Sequence, residues 1–159
     1  MLKLPSEQLY LDDLEVGQRF VSAPHVIDEE QIKAFAAEFD PQPFHLDEEA
    51  ARGTIFRSLA ASGWHTAALT MRLLVESVPL AEGLIGAETE VIWPKAVRPG
   101  MALQVFSQIV DIKPSWSKPD MAIATLRAET RDQRGAIVQI LTAKMPVYKR
   151  QRESALRAA

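Results

Sequence analysis

The chain has 159 residues, which is within the usual size of one domain and enough to bury a core. Its net charge of −3 gives no general attraction to nucleic acid. The absence of cysteine excludes disulfides, thiolate metal sites and cysteine nucleophiles. The N-terminal segment has no apolar signal-peptide core, and no apolar run reaches about 18 residues, so we expect a cytoplasmic protein with no membrane partner.

The first well-signalled helix begins after Asp28. A turn-rich segment over residues 10–21, ending in a short strand Arg19–Val21, precedes it. Asp28 followed by Gln31 is typical of a capping box, and Ile27 and Ile32 can form a hydrophobic staple around that cap. Apolar residues then recur at helical spacing at Ile32, Phe35, Ala36 and Phe39. Pro41 is expected to end this helix.

The run from Phe39 to Asp47 is the most informative part of the chain. It places the carboxylate of Asp40 and the imidazole of His45 five positions apart, in a segment that contains Pro41 and Pro43. Each proline fixes its own φ and disfavours helix at the preceding residue, so we expect a semi-rigid loop that can hold an acid/base pair. The alternative is that Asp40 only starts a turn and that His45 is structural.

Two further helices follow. Asp47 is a candidate N-cap for a short helix over residues 48–51, and capping is the favoured reading of that residue. Ser62 is a good N-cap for a longer helix that we expect to run to about Ser77, before Pro79. This helix is apolar around most of its circumference, which is typical of a buried helix.

From about residue 87 the pattern changes to strands. Weak alternation over residues 88–93, and longer alternating runs over 102–112, 121–130 and 137–148, predict about four antiparallel strands. Val97–Gly100 and Asp132–Gly135 are predicted turns. A buried helix of about 16 residues needs a surface that wraps around it, and a curved antiparallel sheet supplies one.

We therefore predict an α+β hotdog fold, a single domain over residues 1–148 whose curved antiparallel sheet wraps around a long central helix. Residues 149–159 form a polar tail that we expect to be frayed. A sheet with one open edge is usually covered by a second copy, so we predict a homodimer or a higher homo-oligomer.

The Asp40–His45 run resembles the signature of the MaoC-like dehydratases, the (R)-specific enoyl-CoA hydratase group. The segment from Tyr10 to Gly17, the helix after Asp28, and the turn at Val97–Met101 are similar to that family as well, so the resemblance covers most of residues 10–148. It implies addition of water to a trans-2-enoyl-CoA thioester, or the reverse dehydration. CoA is then part of the substrate, and no separate cofactor is expected.

The resemblance also implies roles for individual residues. Asp40 and His45 correspond to the pair that holds the catalytic water. Gly63 corresponds to the residue whose backbone N–H faces the thioester oxygen, at the positive end of the central helix. Ser62 and Trp64, on either side of Gly63, are further candidates for substrate binding, although packing or loop anchoring is the favoured reading of Trp64.

Three positions depart from the family pattern. Gln42 stands where an Asn is usual, and we expect its amide to brace the loop. Ser62-Gly63 replaces His-Gly, and His65, two residues on, is a candidate to support the site, although a buried His is more often a satisfied core residue. Met71 stands where hydratases carry a Ser, with Thr70 beside it as a possible substitute.

Other chemistries have weaker support in the sequence. The three His residues have no metal-binding spacing, so no metal site is expected, and His25 receives no role. A hotdog thioesterase is one alternative function, but such enzymes usually place a carboxylate on the central helix, where only Glu76 is found, near the end. A non-catalytic subunit that binds acyl thioesters is the other alternative, favoured by the missing Ser.

Overall fold

The computed structural model describes residues 8–150 and confirms the predicted start of the first helix, α1 (Glu29–Phe39). Asp28 accepts a hydrogen bond from the Gln31 backbone N–H at 2.8 Å, and the Gln31 side chain accepts from the Asp28 N–H at 3.2 Å. This reciprocal pair is the predicted capping box. Before α1 lie a 3-10 turn, Leu11–Asp13, and two short strands, β1 (Arg19–Val21) and β2 (His25–Val26).

The segment after α1 differs from the predicted loop. Residues Pro43–Leu46 form a short helix, α2, with Pro43 at its first position. The fixed φ of proline suits a first helical turn, and its missing N–H is not needed there. His45 is therefore held by a helical turn, more firmly than a loop would hold it.

The next two helices begin at the predicted caps. Asp47 accepts from the Ala50 N–H at 2.8 Å and begins α3 (Glu48–Arg52). Ser62 accepts from the Trp64 N–H at 3.2 Å and begins α4 (Gly63–Ser77). α4 is the central helix, and its buried face consists of Thr66, Leu69, Thr70, Leu73 and Leu74.

The second half of the chain forms the sheet. Its strands are β3 (Glu88–Ile92), β4 (Ala102–Pro114), β5 (Met121–Arg131) and β6 (Ile137–Tyr148), so three are long and β3 is shorter than expected. The strand order is β1-β4-β5-β6-β3, with β2 also paired to β4 and every pairing antiparallel. A register shift between Ile109 and Asp111 bends the long β4–β5 pair.

The inner face of the curved sheet packs on α4. Alternate residues of the long strands are buried there, including Leu103, Val105, Ile109, Leu126 and Met145. This antiparallel sheet around a central helix is the predicted hotdog fold. Within residues 8–150 no helix is both long and apolar enough to cross a membrane. Most of the predicted polar tail, residues 151–159, lies outside the described residues.

Candidate active site

Asp40 and His45 are brought together where α1 ends and α2 begins. Asp40 is the C-cap of α1, and its backbone N–H donates to the Ala36 carbonyl at 2.9 Å. The Nε2 atom of His45 lies 3.4 Å from Oδ2 of Asp40. Only 5% of the His45 side chain and 16% of the Asp40 side chain are exposed, so the pair is largely shielded from solvent.

The other ring nitrogen of His45 fixes the tautomer of the imidazole. Nδ1 lies 2.7 Å from the carbonyl oxygen of Ala60. A carbonyl oxygen can only accept, so Nδ1 must carry the proton and donate it. In the neutral ring, Nε2 is then left with a lone pair directed toward Asp40.

Asp40 is held in its ionised form by its neighbours. The Nε2 of Gln42 donates to Oδ1 at 2.7 Å, which is the bracing role expected of this amide. Burial raises the pKa of Asp40, but hydrogen bonds from the Ser62 hydroxyl and the Gln42 amide, together with His45, outweigh burial and hold that pKa below its ordinary value. The carboxylate is therefore available as a base at neutral pH.

Two hydrogen-bond acceptors thus face each other, the Nε2 lone pair of His45 and the carboxylate of Asp40. Neither can donate to the other while the imidazole is neutral. A molecule with two O–H bonds can donate one hydrogen bond to each acceptor, and water is the smallest such molecule. A water bound in this way directs both protons to bases and keeps its oxygen lone pairs free for attack, which is the arrangement general-base catalysis requires.

The start of α4 adjoins this pair through Ser62. Ser62 is fully buried, and its hydroxyl both caps α4 and donates to Asp40. Gly63, the first residue of α4, has a backbone N–H with no acceptor one turn earlier and lies at the positive end of the helix dipole.

Gly63 is also required by packing. A Cβ at this position would lie 2.9 Å from Cε2 of Trp93, whose indole ring covers the glycine. The indole Nε1 donates to the side-chain oxygen of Gln139 at 2.7 Å. The Gln139 amide in turn donates to the Thr70 hydroxyl at 2.9 Å, and Thr70 lies 2.6 Å from the Thr130 hydroxyl. Thr70 therefore belongs to a buried network that holds Trp93, on the sheet side of α4.

Two other candidate residues, Trp64 and His65, contact residues outside the acid/base pair. Trp64 is 62% exposed and meets Trp93 edge to face, with ring centroids 5.3 Å apart. His65 stacks on Phe35 at 4.6 Å, in a groove between α1 and α4. Burial, with a smaller contribution from His25, lowers the pKa of His65, so its ring is neutral at pH 7. The structure thus surrounds Asp40 and His45 with Gln42 and Ser62, and not with His65 or Thr70.

Sequence reasoning missed the group that orients His45. The Ala60 carbonyl belongs to the backbone of a loop, and no side-chain pattern marks it. Trp93 and Gln139 were not identified as supports of Gly63 either, because their contact joins residues 46 positions apart. No group of three or more His, Asp or Glu side chains between residues 8 and 150 is arranged to hold a metal ion.

Comparison with known proteins agrees with this fold. The family model of the MaoC-like domain matches residues 13–130. The crystal structure of the MaoC-like dehydratase from Rhodospirillum rubrum is 59% identical, with a TM-score of 0.88 over 89% of this chain and 98% of that chain. The protein YdeM from Bacillus subtilis is 31% identical over 126 residues, which are 78% of this chain and 88% of YdeM.

A more distant structure is the (R)-hydratase from A. caviae involved in PHA biosynthesis. It is 27% identical, with a TM-score of 0.68 over 86% of this chain and 98% of that chain. The family model spans most of the described residues, including Asp40, His45 and Gly63. The chain therefore belongs to the MaoC-like dehydratase family.

Proposed function

We propose that this protein is an enoyl-CoA hydratase, or in reverse a 3-hydroxyacyl-CoA dehydratase, in which Asp40 and His45 activate water. The observation that carries the proposal is the pair of acceptors 3.4 Å apart, with the His45 tautomer fixed by Ala60. The relatives support the reaction class, since one is named a dehydratase and another an (R)-hydratase.

In the hydration direction, water bound by Asp40 and His45 attacks C3 of the enoyl thioester as one of its protons passes to the pair. The C2=C3 π electrons move toward the carbonyl, so negative charge develops on the thioester oxygen. The Gly63 N–H and the positive end of α4 can stabilise that charge. A proton from the same pair then reaches C2, which gives the 3-hydroxyacyl thioester and restores the free bases.

Besides the side chains and backbone of the protein, this scheme requires only water and the thioester substrate. CoA is the thiol part of that substrate, and no separate cofactor takes part in the proposed steps. The fully buried Ser62 enters the scheme through Asp40, whose carboxylate it stabilises. Its proposed role is therefore support of the base, and direct contact with substrate is left to Gly63 and the exposed Trp64.

The two alternative functions gain no specific support from the geometry. Glu76, the only carboxylate that a thioesterase could use on α4, accepts from Arg72 at 2.9 Å in an ion pair on the helix surface. Met71, which stands where hydratases carry Ser, is 40% exposed on the outer side of α4. The Ser62 hydroxyl already donates to Asp40, so the pair has a hydroxyl partner without a Ser at position 71.

We also propose that the protein is a homodimer. β3 is an edge strand, and the residues beside it and on the outer side of α4 leave apolar area exposed, at Trp64, Met71, Val75, Ile92 and Trp93. Pairing of two β3 edges would cover both the unpaired backbone groups and this apolar surface. Light scattering coupled to gel filtration should give twice the mass of one chain, and a monomer at micromolar concentration would contradict the proposal.

The catalytic proposal is tested by the loss of conjugated enoyl-thioester absorbance with crotonyl-CoA. The variant Asp40→Asn removes the base and keeps the shape of the side chain. Asp47→Asn is the matched control, because it makes the same change seven residues away at a helix cap where Asn serves equally well. We expect hydration by the wild type and by Asp47→Asn, and none by Asp40→Asn. Full activity in Asp40→Asn would refute the mechanism.

A further inference from the structure

The guanidinium of Arg98 binds a single backbone segment at three points. Its Nη1 donates to the carbonyls of Ser58 at 2.5 Å and Leu59 at 3.2 Å, and its Nη2 donates to the carbonyl of Phe56 at 2.5 Å. These carbonyls belong to the loop of residues 53–62, which joins α3 to α4. One side chain therefore anchors three carbonyls of this loop, while the Glu48 carboxylate accepts from the Leu59 N–H at 2.7 Å.

The loop has a conformation that needs such support. Arg57 has a φ of 61°, the one positive value among the non-glycine residues in positions 8–150. This left-handed conformation is uncommon for a residue with a Cβ. It turns the carbonyls of the residues on both sides, Phe56 and Ser58, toward the same guanidinium. Without Arg98 these carbonyls would lose a common donor, and the loop would be free to relax.

The held segment ends at the carbonyl that orients His45. Ala60, whose oxygen accepts from His45 Nδ1, directly follows Leu59, which is bound by Arg98. On its other side, the Ala61 N–H donates at 2.9 Å to the carbonyl of Val97, the residue before Arg98. Ala60 is thus fixed on both sides by one turn, in which Arg98 holds the Leu59 carbonyl and Val97 holds the Ala61 N–H. That turn is itself anchored, since the Gly100 N–H donates to the Ile27 carbonyl at 2.7 Å.

We infer that Arg98 is a positioning residue that sets the tautomer of His45 through the 53–62 loop. When the Ala60 carbonyl is in place, Nδ1 carries the proton and Nε2 can accept from water. If the carbonyl moves away, the proton is better placed on Nε2, where it can be donated directly to Asp40 Oδ2, 3.4 Å away. The imidazole and the carboxylate then satisfy each other, and the acceptor for water is lost.

A lysine cannot replace Arg98 in this role. The guanidinium is planar and presents five donors in a fixed fork, so it meets three carbonyls in one geometry. An ammonium group is a compact point charge on a flexible stem. Arg98→Lys therefore keeps the charge and most of the stem but removes the geometry, which makes it the most informative single change.

The tautomer can be read without any enzyme assay. Ring ¹⁵N shifts of histidine distinguish a protonated from an unprotonated nitrogen, and the protein has three His residues. The His45 signals are identified by their loss in His45→Gln. At alkaline pH, where imidazoles are neutral, we expect the wild type to carry the proton on Nδ1. Arg98→Lys and Arg98→Gln should show a mixture of tautomers or the Nε2–H form.

The catalytic consequence rests on the proposed function and is measured separately. We expect kcat for hydration to fall by roughly 10- to 100-fold in Arg98→Lys, since displacement of a catalytic group by about 1 Å can cost about 100-fold. KM should change little, because the proposed mechanism gives Arg98 no contact with substrate and its guanidinium is occupied by three carbonyls. Added guanidinium chloride at low concentration should partly restore the Nδ1–H form and kcat in Arg98→Ala.

Arg57→Gly is the matched control within the same loop. It also removes an arginine, but glycine adopts the left-handed conformation readily, so the loop keeps its path. Its tautomer and kcat should match the wild type. A folded Arg98→Lys with the wild-type His45 tautomer would overturn the inference, as would an Nε2–H form in the wild type. A wild type with the expected tautomer but no hydratase activity would contradict the proposed function and leave the positioning role standing.

Discussion

Replacement of Gly63 by Ala tests how closely the start of the central helix is packed. The added Cβ would lie 2.9, 3.0 and 3.2 Å from three atoms of the Trp93 ring. These separations are well below van der Waals contact, so the ring or the helix must move. The ring is not free to move, because its Nε1 donates at 2.7 Å to Gln139, whose side chain is fully buried.

The magnitude follows from two opposing effects. Overpacking of a well-packed site costs about 1–3 kcal/mol of unfolding free energy. Ala is otherwise preferred over Gly in a helix by roughly 0.5–1 kcal/mol. In a Trp93→Ala background the clash is absent, so Gly63→Ala should change from destabilising to slightly stabilising. The preference for Ala acts in both backgrounds and cancels, so the coupling free energy between the two sites should equal the overpacking cost, about 1–3 kcal/mol.

Urea unfolding followed by far-ultraviolet circular dichroism on the four proteins of this double-mutant cycle measures the coupling. Trp93→Ala should itself cost less than the roughly 3–5 kcal/mol of a fully buried Trp, since 40% of Trp93 is exposed. If Gly63→Ala destabilises both backgrounds equally, within about 0.5 kcal/mol, the Trp93 contact is not the reason for glycine at this position.

Two further changes test the supports of the site. Ser62→Ala removes a hydrogen bond that lowers the pKa of Asp40, so that pKa should rise. In the proposed mechanism the ionised carboxylate is the active form, so the acidic limb of kcat/KM should move to higher pH, and an unmoved limb would contradict this. Loss of the helix cap should also cost about 1 kcal/mol of stability. Gln139→Leu leaves the Trp93 N–H without its partner, while the Thr70 hydroxyl keeps its bond to Thr130. We expect a cost of about 1–3 kcal/mol for the N–H left unpaired, which tryptophan emission together with urea unfolding should register.

Much of the fold could be predicted because its signals are local. The caps at Asp28, Asp47 and Ser62 each precede a helical pattern, and each was found at the predicted residue. The long strands were predictable from alternation and from turns such as Asp132–Gly135. The helix at Pro43–Leu46 differs from the predicted loop, because proline is a loop signal but also suits the first position of a helix.

The supports of the candidate site could not be predicted because they are contacts between distant segments. The sequence places Asp40 and His45 close together along the chain, but it contains no sign that the Ala60 carbonyl fixes the tautomer of His45. Likewise, Arg98 is recognisable only as part of a turn, and its three carbonyl partners lie about 40 residues earlier. These contacts exist only once the sheet and helices have brought the segments together.

The most direct measurement of the central claim follows the oxygen of water into the product. Crotonyl-CoA is incubated with the protein in H₂¹⁸O, and the products are analysed by mass spectrometry. We predict ¹⁸O in the 3-hydroxyl group of an intact CoA thioester with the wild type, and none with Asp40→Asn. Release of free CoA with ¹⁸O in a carboxylate would show hydrolysis of the thioester instead. Equal 3-hydroxyl labelling by the wild type and Asp40→Asn would contradict the assignment of Asp40 as the base.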